Sequence, residues 1–534
     1  MSTMLRYYTA VLGLAASALA QYTFSSVSEH CLDLFDFVGD SQKEAPTNVH
    51  YVSYIAANGT VPALCKVNGV IDQNIGFEIK LPADGSAWAG VWSQMGCEGT
   101  CGEIIDSIAI GAIPWDVDQL QRGWTSAVND MGHTNLDISN ILDFYFLRNN
   151  RPQQINYGHR ATHLLTVAGK AMLKFYYGVK PEHSYFRGVS TGGRQAMIAA
   201  QRYPTDFDGI ISQSVDVNET ALFLNYAWVY TKGMHPNGTS KFSADDLQTL
   251  QNASRAACDG DDGLVDGIVD PSFLCSFDPA ALLCDDSSGD GGCLSQLQVE
   301  AAQAIYAGPT DSQGHRITNL GVYPGFETDW IYNFLSTDPY AWYITVLTGL
   351  TSYLFEDSLP LQDYDVFAFD WDNVPSVLNA DSILSPNRAD MSLFKANGGK
   401  LLIQIGWQDY GSCPEAFISW YKRLRTTMGG QDEVDDFVRG FLVPGYGHIV
   451  GPGCGRVDNF YDILEDWVLN DVNPVYIVGG HYSGGDYDSS GTTLEFSRRL
   501  YSWPYTSKLI PGANATLPES WERYGPLNES AFAR

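Results

Sequence analysis

Between Tyr157 and Val215 the spacing of apolar residues changes period several times. Over Ala161 to Tyr177, ATHLLTVAGKAMLKFYY, apolar side chains recur at helical spacing. SYFRGVSTGG then forms a short apolar run that ends in a glycine-flanked turn. RQAMIAAQRYP returns to helical spacing and stops at Pro204, whose ring cannot continue a helix, and GIISQSV reads as a second buried strand. Two later runs, KLLIQIGWQD (Lys400 to Asp409) and GFLVPGYGH (Gly440 to His448), repeat the strand-then-loop pattern. Strands covered on both faces need apolar residues throughout, so short apolar runs alternating with helices predict an α/β fold with a mostly parallel sheet. From about Asp216 to Gly399 this alternation gives way to clustered Asp, Gly and Cys with many aromatics. That stretch reads as a lid domain, 216–399, inserted into a catalytic domain made of residues 21–215 and 400–534. Asp285 to Gly292 is a polar loop, and no internal repeat is present.

The first twenty residues stand apart. Arg6 precedes an apolar run from about Ala10 to Leu19 that ends Ala18-Leu19-Ala20, the pattern of a signal peptide cut before Gln21. The run is too short to cross a bilayer. Secretion suits six Asn-x-Ser/Thr sequons, at Asn58, Asn218, Asn237, Asn252, Asn514 and Asn528, and ten cysteines, an even number better read as disulfides than as metal ligands. A net charge of −31 without a basic cluster excludes nucleic acid and anionic membranes as partners. A hydrophobic content of 45% excludes disorder.

Gly188-Val189-Ser190-Thr191-Gly192 fits G-x-S-x-G, the elbow in which a strained strand-to-helix turn exposes a nucleophilic serine. A chain of this composition contains about 0.4 such matches by chance, so the weight comes from the strand before it and the helix after it. A serine hydroxyl needs a histidine to take its proton, and the histidine needs a carboxylate to hold its tautomer. In the α/β-hydrolase fold the partners follow in the order Ser, Asp, His on loops after sheet strands. Asp409 and His448 occupy such places. The rival histidine, His133, lies upstream of the nucleophile, and the rival acid, Glu415, follows Pro414 at a helix start. Backbone N–H groups must hold the oxyanion. Thr191 supplies one, and the Gly96-Cys97-Glu98-Gly99 loop, at Cys97, the second, although the same residues also read as an ordinary disulfide-rich turn.

The run YGHRATHLLTVAGKAMLKFYYGVKPEHSYFRGVSTGGRQAMIAAQRYPTDFDGI resembles the nucleophile region of the tannase and feruloyl esterase family. GGKLLIQIGWQD resembles its acid motif, FLVPGYGH its histidine motif, and LEDWVLNDVNP the helix and turn that follow. The resemblance implies an α/β-hydrolase with a large lid, a serine esterase acting on aryl or plant-phenolic acid esters, and Ser190, Asp409 and His448 at the triad positions. It also implies a structural calcium ion in CDGDDGLVDGIVDP, held by side chains at Asp259, Asp262 and Asp266 and carbonyls at Leu264 and Ile268. Such a density of carboxylates is costly unless a hard cation neutralises it. An acidic solvated turn is the plainer reading of the same residues.

Proximity and the resemblance together pair Cys258 with Cys275 and Cys284 with Cys293. Cys31, Cys65, Cys97 and Cys101 form two more bonds of open connectivity. The family's usual pattern also places one cysteine before the nucleophile and one after the histidine, joined to each other. Here those positions hold Val189 and Ile449. Cys413 and Cys454 are expected to pair instead, linking the acid and histidine loops. The expected function is hydrolysis of a small-molecule ester by a secreted, extracellular enzyme. Acyl transfer or lactone hydrolysis on a secondary metabolite is the alternative, and an inactive binding protein a third. The acyl group, the alcohol and the oligomeric state stay open.

Overall fold

The computed structural model describes residues 27–38, 43–105, 108, 113–135, 144–285, 292–318, 320–336, 365–374, 383–483 and 493–529. The leader expected at residues 1–20 and most of the 285–292 loop lie outside them. Nine strands make one sheet: β1 (Thr47–Ile55), β2 (Leu64–Ile71), β3 (Ile75–Pro82), β4 (Val91–Met95), β5 (Ser126–Asn129), β6 (His183–Val189), β7 (Gly209–Gln213), β8 (Lys400–Gly406) and β9 (Val438–Val443). Their order is β1-β2-β3-β5-β4-β6-β7-β8-β9. From β5 through β4 to β9 every pairing is parallel, whereas β1, β2, β3 and β5 pair antiparallel. The antiparallel edge is not a continuous apolar run in the sequence, because β2 alternates buried with half-buried positions.

The parallel strands are buried almost throughout because both faces are covered. Along β7 and β8, Ile210, Leu401 and Ile403 enter one core, and Ile211 and Leu402 enter the core on the opposite face. Helices α1 (Ala161–Tyr177) and α2 (Thr191–Arg202) pack on the first face. Helix α1 ends at Gly178, whose φ of 79° is left-handed. Between β7 and β8 come α3 (Glu219–Gly233), α4 (Ala244–Cys258) and α5 (Gln296–Ala307), and the described residues there add no strand to the sheet. Helix α3 is buried nearly all round and packs on α5, which is why it shows no amphipathic stripe. Helix α6 (Pro414–Met428) returns to the first face, and α7 (Phe460–Asn470) covers the second with Leu464 and Trp467. Two small antiparallel pairs close the chain, β10 (Tyr476–Tyr482) with β11 (Leu494–Tyr501) and β12 (Thr506–Leu509) with β13 (Trp521–Tyr524).

Arg194 of α2 joins several of these parts. It is fully buried, and its guanidinium donates to the carbonyls of Tyr157 (3.3 Å), Gly158 (3.4 Å) and Leu384 (3.2 Å). It also lies 3.4 Å from Glu219 at the start of α3. One cation thus ties the helix behind the nucleophile turn to both ends of the segment between β7 and β8.

Four disulfides are present, Cys31–Cys65, Cys97–Cys101, Cys258–Cys275 and Cys284–Cys293. The expected Cys413–Cys454 bond is corrected: both residues are buried, and no disulfide joins them. Cys413, just before α6, faces α3, with its sulfur 3.6 Å from Asn225 Nδ2. Cys454 instead packs against β10, where a Cβ on Gly479 would meet its carbonyl at 2.0 Å. Closeness along the loops did not bring the two sulfurs to one side. Peptide mapping after alkylation in denaturant without reductant should find these two residues alkylated and the other eight in the four bonds.

Packing of α1 on the sheet supplies a stability test. A Cβ on Gly169 would lie 2.0 Å from the ring of Trp92, which is wholly buried on β4. Gly169→Ala should destabilise the fold by about 1–3 kcal/mol through overpacking, read as a lower urea midpoint.

Candidate active site

Strand β6 delivers Ser190 to the end of the sheet and α2 leaves from the next residue, so the chain must reverse within one residue. Ser190 accommodates this at φ 56° and ψ −122°, a conformation costing about 1–3 kcal/mol for a residue with a side chain. Its N–H donates to Gln213 O at 3.0 Å, and its carbonyl accepts from Arg194 N–H at 3.0 Å. The turn is so tight that a Cβ on Gly188 would meet Gly192 O at 2.2 Å. These two glycines are the physical content of the motif.

His448 and Asp409 converge on that serine from the loops after β9 and β8. Ser190 Oγ lies 2.9 Å from His448 Nε2, and His448 Nδ1 lies 2.8 Å from Asp409 Oδ1. With Nδ1–H donating to the carboxylate, Nε2 is left to accept from the hydroxyl. Asp409 is 1% exposed, and its Oδ1 also accepts from Gly411 N–H at 2.9 Å. Burial pushes the His448 pKa down, but Asp409 and then Glu98 outweigh it and leave the imidazole above its ordinary 6.5. The three side chains picked from chain order therefore form one hydrogen-bonded relay.

The rivals lie elsewhere. His133 stacks on Phe146 at 3.5 Å between ring centroids, and burial takes its pKa down to about 4. Glu415 begins α6 and, with Tyr306, Arg316 and Tyr323, lines a cavity of about 610 Å³ that none of the three relay residues lines. Burial raises its pKa to about 8.

Two backbone donors stand beside Ser190. Thr191, the first residue of α2, has its N–H among those a helix leaves unbonded. The loop after β4 approaches closely, since a Cβ on Gly96 would lie 2.4 Å from Gly192 Cα, and Gly99 O accepts from Thr191 Oγ1. The expectation that Cys97 supplies the second donor is corrected. Its N–H is directed at Gln195 Oε1, 3.4 Å away. The amides of Glu98 and Gly99 bond to no other backbone or side-chain group among the described residues, and these are the loop's available donors. Glycine spacing pointed to this loop, but only the placement of Gln195, nearly a hundred residues later, decides which amide is occupied.

Val189 and Ile449, at the two positions where the usual pattern has bonded cysteines, belong to one apolar cluster with Met95, Ile108, Trp115 and Val128. Val189 is fully buried, and Ile449 holds φ 68°, a strained value for a β-branched residue. Packing replaces the covalent link between the nucleophile and histidine loops.

The acidic loop after α4 folds on itself. Asp259 accepts from Asp266 N–H (3.2 Å) and Gly267 N–H (2.8 Å), Asp262 from Leu264 N–H (2.9 Å), and Asp266 from Ile268 N–H (3.1 Å). Arg498 of β11 bridges Asp262 and Asp266. Among the described residues no three acidic, His or Cys side chains converge closely enough to form a metal cage as they stand. The chemistry of the loop is that of a hard-cation site, with carboxylates at Asp259, Asp262, Asp266 and Asp270, of which Asp262 and Asp266 share the Arg498 guanidinium. The loop also touches the relay's supports. A Cβ on Gly445, three residues before His448, would meet Ile268 at 2.9 Å, and Gln408, next to Asp409, donates to Ser272 Oγ at 2.5 Å. Spacing alone did not reveal that proximity.

Comparison with known proteins agrees with this geometry. An uncharacterised esterase of Xanthomonas campestris pv. campestris is 29% identical over 524 residues, covering 88% of this chain and 87% of the relative. A probable feruloyl esterase of Arthroderma benhamiae is 28% identical over 388 residues, 69% and 68% of the two chains. The crystal structure of feruloyl esterase B from Aspergillus oryzae superposes with a TM-score of 0.78 at 23% identity, over 93% of this chain and 100% of that one, which establishes the shared α/β-hydrolase fold. The sequence profile described as tannase and feruloyl esterase matches residues 60–522. This chain therefore belongs to the tannase and feruloyl esterase family and is a carboxylic ester hydrolase.

Proposed function

We propose that this hydrolase is secreted and cleaves aryl or phenolic acid esters through an acyl-serine intermediate. The relay from Ser190 Oγ through His448 to Asp409 carries the reading. His448 Nε2 takes the hydroxyl proton as Ser190 Oγ attacks the ester carbonyl. The N–H groups of Thr191 and of Glu98 or Gly99 receive the oxyanion. His448 then gives its proton to the leaving alcohol, and the acyl group stays on Ser190. Water, deprotonated by the same imidazole, releases the acid. Asp409 holds the ring and stabilises the imidazolium throughout. Four disulfides and the charged-then-apolar leader support secretion.

Ser190→Ala should lower kcat on aryl esters by about 10⁴-fold or more, and Asp409→Asn by about 10⁴-fold, with unchanged circular dichroism. Retained hydrolysis by Ser190→Ala would overturn the mechanism. Neutral His448 is the active form and its pKa is raised. Activity is therefore full above that pKa and is lost as pH falls through it, so the acid limb of kcat/KM should have its midpoint above 6.5.

Calcium bound by Asp259, Asp262 and Asp266 with the carbonyls of Leu264 and Ile268 would neutralise the loop and steady its contacts with Gly445 and Gln408. It supplies charge and rigidity and takes no part in the chemistry. Millimolar calcium should raise Tm by a few degrees over protein dialysed against a chelator, in line with about 2.7 kcal/mol for a ligand at a hundred times its Kd. Asp262→Ala should abolish that difference.

A further inference from the structure

The loop that crosses the nucleophile is closed into a small ring by the Cys97–Cys101 disulfide. The ring fixes the shape of the loop but not its distance from Ser190, which bonds to other segments must set. At its start Gly96 N–H donates to Arg187 O at 3.0 Å, and at its end Asn135 Nδ2 donates to Cys101 O at 2.6 Å. Between these anchors, among the described residues, the backbone of Cys97, Glu98 and Gly99 bonds outside the loop to one element alone, α2.

Thr191 and Gln195 make those bonds. They stand at i and i+4 on α2 and so lie one above the other on a single helix face. Thr191 Oγ1 donates to Gly99 O, and Gln195 Oε1 accepts from Cys97 N–H at 3.4 Å. Gln195 Nε2 also lies 2.8 Å from Cys97 Sγ and 3.5 Å from Cys101 Sγ, and the residue is buried. The helix thus grips both ends of a short segment whose inner amides, those of Glu98 and Gly99, stay open. Cys101 N–H, 2.9 Å from Glu98 O, turns that carbonyl back into the loop. Because the peptide is planar and trans, Gly99 N–H is aimed the opposite way.

Donors to an oxyanion act together only while their spacing holds, since a displacement of about 1 Å can cost on the order of a hundredfold in rate. One donor, the Thr191 amide, belongs to α2, and the other belongs to the loop. Resting on the esterase reading above, we propose that the side chains of Thr191 and Gln195 are positioning groups: together they clamp the Cys97-Glu98-Gly99 segment onto α2 and so hold the two halves of the oxyanion site as one unit.

The purified full-length protein tests this with phenyl benzoate as substrate and trifluoroacetophenone as an analogue of the transition state. Ser190 Oγ adds to the ketone carbonyl, its proton passes to His448, and the carbonyl oxygen becomes the oxyanion. Thr191→Val removes the hydroxyl and keeps the shape. It should lower kcat by about tenfold or more with KM within about threefold, and weaken the ketone by the same factor as kcat/KM. Thr191→Ser, which keeps the hydroxyl, should recover most of both. Gln195→Met, similar in length but without either hydrogen bond, should fall in the range of Thr191→Val. Releasing either end frees the segment, so the double variant should be about as slow as the slower single one rather than as slow as their product. A merely structural role would lower Tm without separating kcat from KM or weakening the ketone. That outcome, Thr191→Ser as slow as Thr191→Val, or losses that multiply in the double variant would each overturn the proposal. Should Gln195→Met not fold by circular dichroism, the Val and Ser variants of Thr191 decide alone. Absence of phenyl benzoate hydrolysis by the wild-type protein strikes at the esterase reading, whereas hydrolysis with unaltered kcat in the variants strikes at the clamp alone.

Discussion

The reversal at Ser190 is the constraint on which the site depends. A serine held at positive φ between a strand and a helix projects its hydroxyl past the sheet edge, but the backbone before and after it must then almost touch. That contact admits no side chain at Gly188, and little room at Gly96 where the neighbouring loop crosses. The strain is offset by parallel pairing of β6 with β4 and β7, by the Ser190 N–H bond to Gln213, and by the buried Arg194 that anchors α2.

Holding the nucleophile is not enough, because His448 and Asp409 stand on loops that could drift by more than a hydrogen bond tolerates. Their supports come from separate parts of the chain. Val189 and Ile449 join the nucleophile and histidine loops through apolar packing. Ile268 presses on Gly445, and Ser272 accepts from Gln408. Trp407, two residues before the acid, packs between Phe273 and Trp503 at ring distances of 5.2 and 5.9 Å. The acidic loop and the carboxy-terminal strands are therefore part of the catalytic geometry as well as of the outer shell. Non-directional packing can take over from a covalent bridge here because Ile449 packs on a cluster whose other members, Met95, Ile108, Trp115, Val128 and Val189, are buried.

Much of this was legible in the chain because it is local. Helix α1 spans the residues whose apolar spacing predicts it, β7 and β8 lie within the apolar runs that signal buried parallel strands, and β6 and β9 overlap theirs but begin one and two residues earlier. Chain order then sufficed to select Ser190, Asp409 and His448, since in a doubly covered parallel sheet functional loops leave the same ends of successive strands. The antiparallel edge was less visible, because half-buried alternation in β2 resembles the pattern of many surface segments.

The sequence by itself determined the α/β framework, the three relay residues, the loop that crosses the nucleophile and the family. The framework is written in periodicity, the relay in the order of strand-ending motifs along the chain, and the family in the resemblance of those motifs. Only the tertiary structure decided which amide of that loop is occupied, on which side Cys413 and Cys454 lie, and that Val189 and Ile449 share one apolar cluster. Those outcomes hang on the directions of side chains brought together from distant segments. Direction is set by packing against neighbours, and no spacing along one strand encodes it.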